Sequence, residues 1–572
     1  MTKTYPIVLS ALALAFLVAC SGAETCPYRP NASGKYSANN CIPEASNDFQ
    51  LGVNPGYYAK NNDFTQGSLW TDKQLSDIIV NAGFTTSRPS MFASFFAYYG
   101  PQVKVAEFEH YRSIGLKDLT LFISGGWDVA GDPQRERENK NNGCPELSKS
   151  FKGIYTPAYL NGKINQGNRF AAFVDNVVKY YGDKVKYIEV WNEPDLPTSD
   201  LLGHRYDYGG NVQSDSWWTR TPRPCEMINL YAPIYHYIRM LRITHDIVTR
   251  YNASVPAEKH LLVSTGGIGY ASFLNHLLQK TDNPNNGLVT LEYPLKGGAY
   301  FDVLSYHSYP FFMNYEADLS KGMNVVKSFN GERRYQRHSD HLKDHPVLLL
   351  EQFRDVLHAA GYDGESFPKK YEILTEIGMH DAAWGLGTID YGSTVALQRN
   401  TILKSLVALQ KKNVKQVQLY KLGTNITPQT PLPVDRWNEY EGGLWSSFGI
   451  YDNLTVKAPG QESLTSLGIA VQKFATQLKG FHYDETSTNA LSLPATMDGA
   501  AYKMGSQSKY MLWAKSTQDQ SEVASATYAF PPAVVPNNAT MTKVSFDGSG
   551  DSTVTSNSVT FSTADPMILY VP

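Results

Sequence analysis

Two glutamates in this chain each follow directly on an apolar run. The stretch from Val185 to Asp195 passes through Tyr187, Ile188 and Val190 into Trp191-Asn192-Glu193-Pro194. Its first half reads as a short buried strand, and Pro194 stops it because proline cannot donate to a sheet ladder. Glu193 therefore stands where a strand gives way to a loop. Pro346 to Phe353 contains four consecutive aliphatics, Val347 to Leu350, and then Glu351. That run reads as a strand buried on both faces, which puts Glu351 at its mouth, since an ionised carboxylate is not accommodated in such a core without a partner. Two carboxylates brought together can divide labour, one held protonated as a general acid/base and one ionised as a nucleophile.

The elements that would position them alternate along the chain. Phe49 to Asn54 reads as a first strand. Thr71 and Gln74 form a capping box before a helical spacing of Leu75, Ile78 and Ile79. Thr85 to Arg88 is a second strand cut by Pro89, and Leu119 to Ile123 a third, opening towards Trp127. The helical pattern from Phe170 to Tyr181 leads into the Glu193 strand. A helix over Pro233 to Tyr251 precedes a fifth strand at Leu261 to Thr265. Phe301 to Pro310 is a sixth strand on which His307 and Tyr309 point the same way by the period of two. Val414 to Tyr420 is an eighth, followed by a loop carrying Trp445. Alternating strands and helices of this kind predict an α/β fold, a (β/α)8 TIM barrel, whose chemistry lies at the carboxyl ends of its strands.

Trp191-Asn192-Glu193-Pro194 resembles the Asn-Glu-Pro signature of the clan A glycoside hydrolases, and the order of strand ends over residues 49–480 is similar to that clan. The passage Phe448-Gly449-Ile450-Tyr451-Asp452 resembles family 39 and neighbouring endo-β-glycanase families. The resemblance implies retaining cleavage of glycosidic bonds, with Glu193 as acid/base and Glu351, at the end of strand seven, as nucleophile. It implies that Asn192 binds the sugar 2-hydroxyl and that Arg88, His307 and Tyr309 hold the nucleophile or the sugar. By their place after strand ends, Trp127 and Trp445 are candidates to line sugar subsites, Trp127 equally to cap the barrel. No metal or organic cofactor is required. The separation of the two glutamates departs from the family, implying a large insertion between them.

Composition limits the alternatives. The chain has 572 residues, 42% hydrophobic and 18% charged, with a net charge of −3. That is a globular protein with no polyanion-binding signal, which argues against nucleic acid as a partner. Lys3 and the short apolar run Ile7 to Val18 read as an export signal over residues 1–23. Leu17-Val18-Ala19-Cys20 resembles a lipobox, so Cys20 is a candidate for lipidation and the only expected membrane link. The protein is then an exported cell-surface or periplasmic lipoprotein, or else secreted. Cys26, Cys41, Cys144 and Cys225 remain as disulfide candidates, with three possible connectivities.

Residues 24–48 read as irregular, 49–480 as the catalytic barrel, and 481–572 as a β-sandwich of short alternating segments that N-terminal residues could complete. The reading is therefore an endo-acting retaining hydrolase of a β-glucan, with polysaccharide or oligosaccharide as partner. An exo-acting β-xylosidase-like enzyme of family 39 type is the alternative within the same class. A non-catalytic surface glycan-binding protein on a degenerate barrel is the alternative of another class.

Overall fold

The computed structural model describes residues 48–572 apart from 57–68, 125–149, 156–162, 196–215, 220–231, 314–327, 330–331, 334, 365, 382–384, 387–388, 391 and 425–446. The export signal, all five cysteines, Trp127 and Trp445 lie outside the described residues. Among the described residues no helix is long and apolar enough to cross a membrane.

Parallel strands and helices alternate from Gln50 to Gln477. The strands are β1 (Gln50–Val53), β2 in two segments (Thr86–Ser87 and Ser90–Phe92), β3 (Thr120–Ser124), β4 (Tyr187–Val190), β5 (Leu262–Ser264), β6 (Val303–Ser308), β7 (Tyr371–Ile377) and β8 (Gln416–Leu419). The helices are α1 (Asp72–Asn81), α2 (Val105–Ser113), α3 (Arg169–Tyr181), α4 (Ile234–Asn252), α5 (Ala271–Gln279), α6 (His345–Ala359), α7 (Val395–Lys411) and α8 (Ser466–Gln477). One such helix follows each strand.

The sheet closes through the divided second strand. The first segment of β2 pairs with β1, Val53 opposite Ser87, and the second pairs with β3, Met91 opposite Ile123. β8 pairs with both β1 and β7, completing the ring. Pro89 sits at the division, where its missing N–H does no harm, and its carbonyl still accepts from Phe122 at 3.0 Å. Each helix lays an apolar stripe on the barrel; on α3, Phe170, Phe173, Val174, Val177 and Val178 are buried. Thr71 caps α1 with its hydroxyl on Gln74, as the capping box requires.

The expected strand at Pro346 to Phe353 is instead part of α6. The four aliphatics continue into a helical spacing, with Leu349, Leu350, Phe353 and Leu357 all buried. Pro346 lies in the helix's first turn, where its fixed φ is tolerated. A short apolar run does not by itself separate strand from helix; the burial of Leu357 two turns on shows which period applies. Strand seven is Tyr371–Ile377, in parallel register with β6, Tyr371 opposite Val303.

The C-terminal domain is an antiparallel sandwich. Six strands form one sheet, and Val523–Ala529 pairs with Ser558–Thr563 in a second. Leu512 and Leu569 from the first sheet and Tyr528 and Phe561 from the second share one apolar core. Buried polar groups join this domain to the barrel. Asp340 accepts from Trp513 Nε1 at 2.8 Å and from Lys404 Nζ at 2.7 Å, and Glu522 accepts from Ser339 Oγ and Asn400 Nδ2, both at 2.7 Å.

Candidate active site

At the carboxyl ends of the strands, β4 runs out into a backbone that reverses sharply. Trp191 and Glu193 have φ of 68° and 44°, left-handed values that non-glycine residues rarely adopt. The Trp191 N–H is held by the Ile123 carbonyl at 2.7 Å and the Glu193 N–H by the Gly266 carbonyl at 2.6 Å, so the turn is fixed from both flanking strands. Asp195 anchors the residues beyond Pro194 by accepting from the Gly269 and Tyr270 N–H groups, each at 2.8 Å. The result aims the Glu193 side chain across the mouth.

There it meets His307, from β6, and Glu376, from β7. Glu193 Oε1 lies 2.8 Å from His307 Nδ1, which is itself 3.6 Å from Glu376 Oε2. Oxygens of the two glutamates and a nitrogen of the histidine all lie within 4.8 Å of one another. Arg88, at the division of β2, binds Glu376 Oε1 through Nη1 at 2.6 Å, and the Tyr309 hydroxyl donates to Glu376 Oε2. The same guanidinium donates to Asn54 Oδ1 at 3.1 Å, to Asn192 Oδ1 at 2.9 Å and, through Nε, to Glu189. Arg88, Glu189, Asn192, His307, Tyr309 and Glu376 are all buried, and Glu193 retains some exposure.

Thr375 Oγ1 lies 2.7 Å from Glu189 Oε1, 2.5 Å from Ser305 Oγ and 3.1 Å from His307 Nε2. With the Thr375 proton given to Glu189 or to Ser305, His307 carries its own proton on Nε2 and turns a bare Nδ1 to Glu193, which then supplies the proton between them. Electrostatics point the same way. Burial first, then the charges of Glu376 and Asp195, hold the Glu193 carboxyl well above the ordinary range, while burial and then Arg88 hold His307 well below its own. Glu376 is also raised by burial, but the Arg88 charge and the Tyr309 hydrogen bond oppose that rise. One acid is kept protonated, and the other is given a cation and a hydroxyl that favour its anion.

The structure brings Glu193, Asn192, His307, Tyr309 and Arg88 together. Glu351 is not among them. It lies on the outer, solvent-facing side of α6, its side chain 42% exposed, 2.9 Å from Lys412 and 3.8 Å from Arg354. Arg354 in turn binds Glu372, at the start of β7, so Glu351 belongs to the opposite end of the barrel from the mouth. The expectation that Glu351 ends strand seven is therefore corrected: Glu376 occupies that position. Glu376, Glu189, Thr375 and Ser305 were missed. The signal for the first was present in Ile373, Thr375 and Ile377, β-branched at period two and followed by Gly378.

Glu193, His307 and Glu376 could also present one donor atom each to a small divalent cation. Here Arg88 already neutralises Glu376, and Glu193 and His307 satisfy one another, an arrangement suited to proton transfer.

No family model and no curated protein matches this sequence. Among solved structures the chain is similar to an arabinofuranosidase, with 11% identity over 94% of this chain and 98% of that one and a TM-score of 0.46. It is similar to the α-L-arabinofuranosidase from Thermotoga maritima, with 11% identity over 93% and 98% of the two chains and a TM-score of 0.45. It is also similar to a GH30 endoxylanase from Clostridium papyrosolvens C71, with 10% identity over 92% and 96% and a TM-score of 0.42. Likenesses this remote do not bear on the chemistry, which rests on the side chains.

Proposed function

We propose that this chain is a retaining glycoside hydrolase that cleaves β-glycosidic bonds of a polysaccharide by double displacement, with Glu193 as acid/base and Glu376 as nucleophile. The observation that carries this reading is the separation of their oxygens, within 4.8 Å across the barrel mouth. Retention calls for carboxyls about 5–5.5 Å apart, whereas inversion needs about 6.5–9.5 Å to admit a water.

In the first step Glu376 attacks the anomeric carbon while Glu193 gives its proton to the departing oxygen. In the second, Glu193 takes a proton from water as that water displaces the sugar from Glu376. Arg88 and Tyr309 hold Glu376 in line and ionised. His307 keeps the Glu193 proton at the mouth until a glycosidic oxygen arrives to take it. The Oδ1 of Asn192 is held by Arg88, which leaves its amide protons to donate to the 2-hydroxyl, a contact that strengthens as charge develops on the ring.

A β-glucan is the proposed substrate and endo cleavage the proposed mode, because the long segment after the third strand carries Trp127 and that after the eighth carries Trp437 and Trp445. Export with a lipid on Cys20 belongs to the same proposal and is tested by metabolic labelling with a radioactive fatty acid, which Cys20→Ser should abolish.

The deciding experiment is Glu376→Gly assayed on an activated aryl β-glycoside with and without azide. Turnover should vanish and return with azide as the α-glycosyl azide. Retained hydrolysis without azide would end the assignment of Glu376. A polysaccharide panel with product sizing tests substrate and mode, and binding without turnover by the unaltered protein would favour a glycan-binding role instead.

A further inference from the structure

The other end of the barrel holds a cavity of about 690 Å³, within the size range of small-ligand sites. Its wall is made where α6 and α7 return to β7 and β8. Arg354, Lys369, Lys370, Lys411, Lys412 and Lys415 contribute cations to it, against the carboxylates of Asp363 and Glu372.

Half of these cations are accounted for within the fold. Arg354 pairs with Glu372, Lys411 with Asp498 at 2.8 Å and Lys412 with Glu351 at 2.9 Å. Lys411 and Lys412 also end α7, where a cation suits the helix dipole. Lys369, Lys370 and Lys415 are different. None is at a helix end, and none has a carboxylate within ion-pair distance among the described residues. Lys415 donates to the Asn413 side chain at 2.9 Å. Lys370 is buried, its ammonium 4.0 Å from the Phe301 ring centre and 4.4 Å from that of Tyr362, with the Phe301 carbonyl as acceptor. Burial lowers its amine to about 7, and Asp302 offsets that only in part. Lys369 and Lys415, together with Lys370 when it is protonated, put positive charge into one concave wall without ion-pair partners among the described residues, a cost that an incoming anion lowers.

We propose that this cavity binds a small molecule carrying at least two oxyanion groups, phosphate, sulfate or carboxylate, between Lys369, Lys370 and Lys415. Lys370 would supply the buried donor at the back, beside the Tyr362 ring, and Lys369 and Lys415 would close on the anion from the rim. The four residue steps of β7 from Glu372 to Glu376 span about 13 Å, so the site is separate from the catalytic mouth. The inference stands whether or not the chain hydrolyses glycans.

The test is calorimetric titration of the full chain with inorganic pyrophosphate, a sulfated disaccharide and a uronic-acid disaccharide, with a neutral disaccharide as control. The same titrations are run on Lys369→Ala/Lys415→Ala. Lys369 is exposed and Lys415 part-buried, so the variant should fold and keep the native melting temperature. At least one anionic probe should bind in preference to the neutral one. Its affinity should fall about tenfold or more in the double variant, as expected for losing a charge-assisted hydrogen bond, and fall with added salt. Whichever probe binds tightest identifies the chemical source of the anion. Absence of binding by all three, equal binding of the neutral sugar, or undiminished affinity in the double variant would overturn the proposal.

Discussion

Glu189 makes a demanding test of the site because it reacts with nothing in the proposed mechanism. It is fully buried, and it accepts from Arg88 through one oxygen and from Ser305 and Thr375 through the other. Glu189→Gln keeps the shape and removes the charge. The amide oxygen can still face Arg88, and the two hydroxyls can rotate to accept from the new NH2 group. Breaking a buried ion pair outright costs about 3–5 kcal/mol. Here Glu376 still neutralises Arg88, so the loss should be nearer that of a charged hydrogen bond, about 1.5–3 kcal/mol. Ångström-scale displacement of Arg88 and Glu376 should lower kcat by up to about 100-fold with little change in KM. The pH profile carries the sharper sign. The Glu189 charge raises the pKa of both Glu193 and Glu376. Removing it lets both acids give up protons more readily, so both limbs of the kcat/KM bell should move to lower pH. Stopped assays on an aryl β-glycoside across the pH range, paired with urea unfolding, measure both effects. A profile that stays in place or moves to higher pH, in a folded variant, would refute the linkage of Glu189 to the two acids.

Other outcomes follow from the same geometry. Glu193→Gln should lose turnover yet gain stability relative to the native chain above the ordinary carboxylate range. A carboxyl whose folded pKa is raised binds extra protons when folded, so native stability falls as pH rises through that window; thermal melts at acid and alkaline pH check this, and destabilisation at alkaline pH would contradict it. Glu351→Ala should leave kcat/KM unchanged and cost at most about 1 kcal/mol, as for an exposed pair. Gly267→Ala should impair turnover, because its φ is +65° and a Cβ there would sit 2.0 Å from His307 Nε2; native kinetics would show that the ring has room to move. Asp340→Ala strands the buried Lys404 ammonium and removes the acceptor of Trp513, and should cost about 3–5 kcal/mol in denaturant unfolding.

Much of the barrel was legible because its elements obey simple periods. Thr71 and Gln74 announce α1, and Asn192-Glu193-Pro194 marks the end of a strand by its chemistry. The misreading of α6 arose where two periods coincide: Val347 to Leu350 satisfies a buried strand and one turn of an apolar helix equally well. Glu376 was overlooked because its strand carries Glu372 and Thr375 among its aliphatics, which weakens the apolar signal. Those residues are tolerated inside because Arg354 meets the first and Glu189 and His307 meet the second. Such partners come from distant positions, and neither spacing nor composition announces them. Arg88 was found by its place at a strand end; that it joins Glu189, Asn192 and Glu376 required three dimensions.

The residue at the break in the second strand has one more consequence. Arg88 sits at the seam where the cylinder is shut, and its guanidinium ties that seam to the fourth and seventh strands. Assembly and turnover thus depend on one side chain, so a molecule that fails to shut correctly should be silent in any activity screen. Libraries selected for hydrolysis would then be filtered for correct closure at the same time, and thermal tolerance gained elsewhere in the shell should accumulate without loosening this joint.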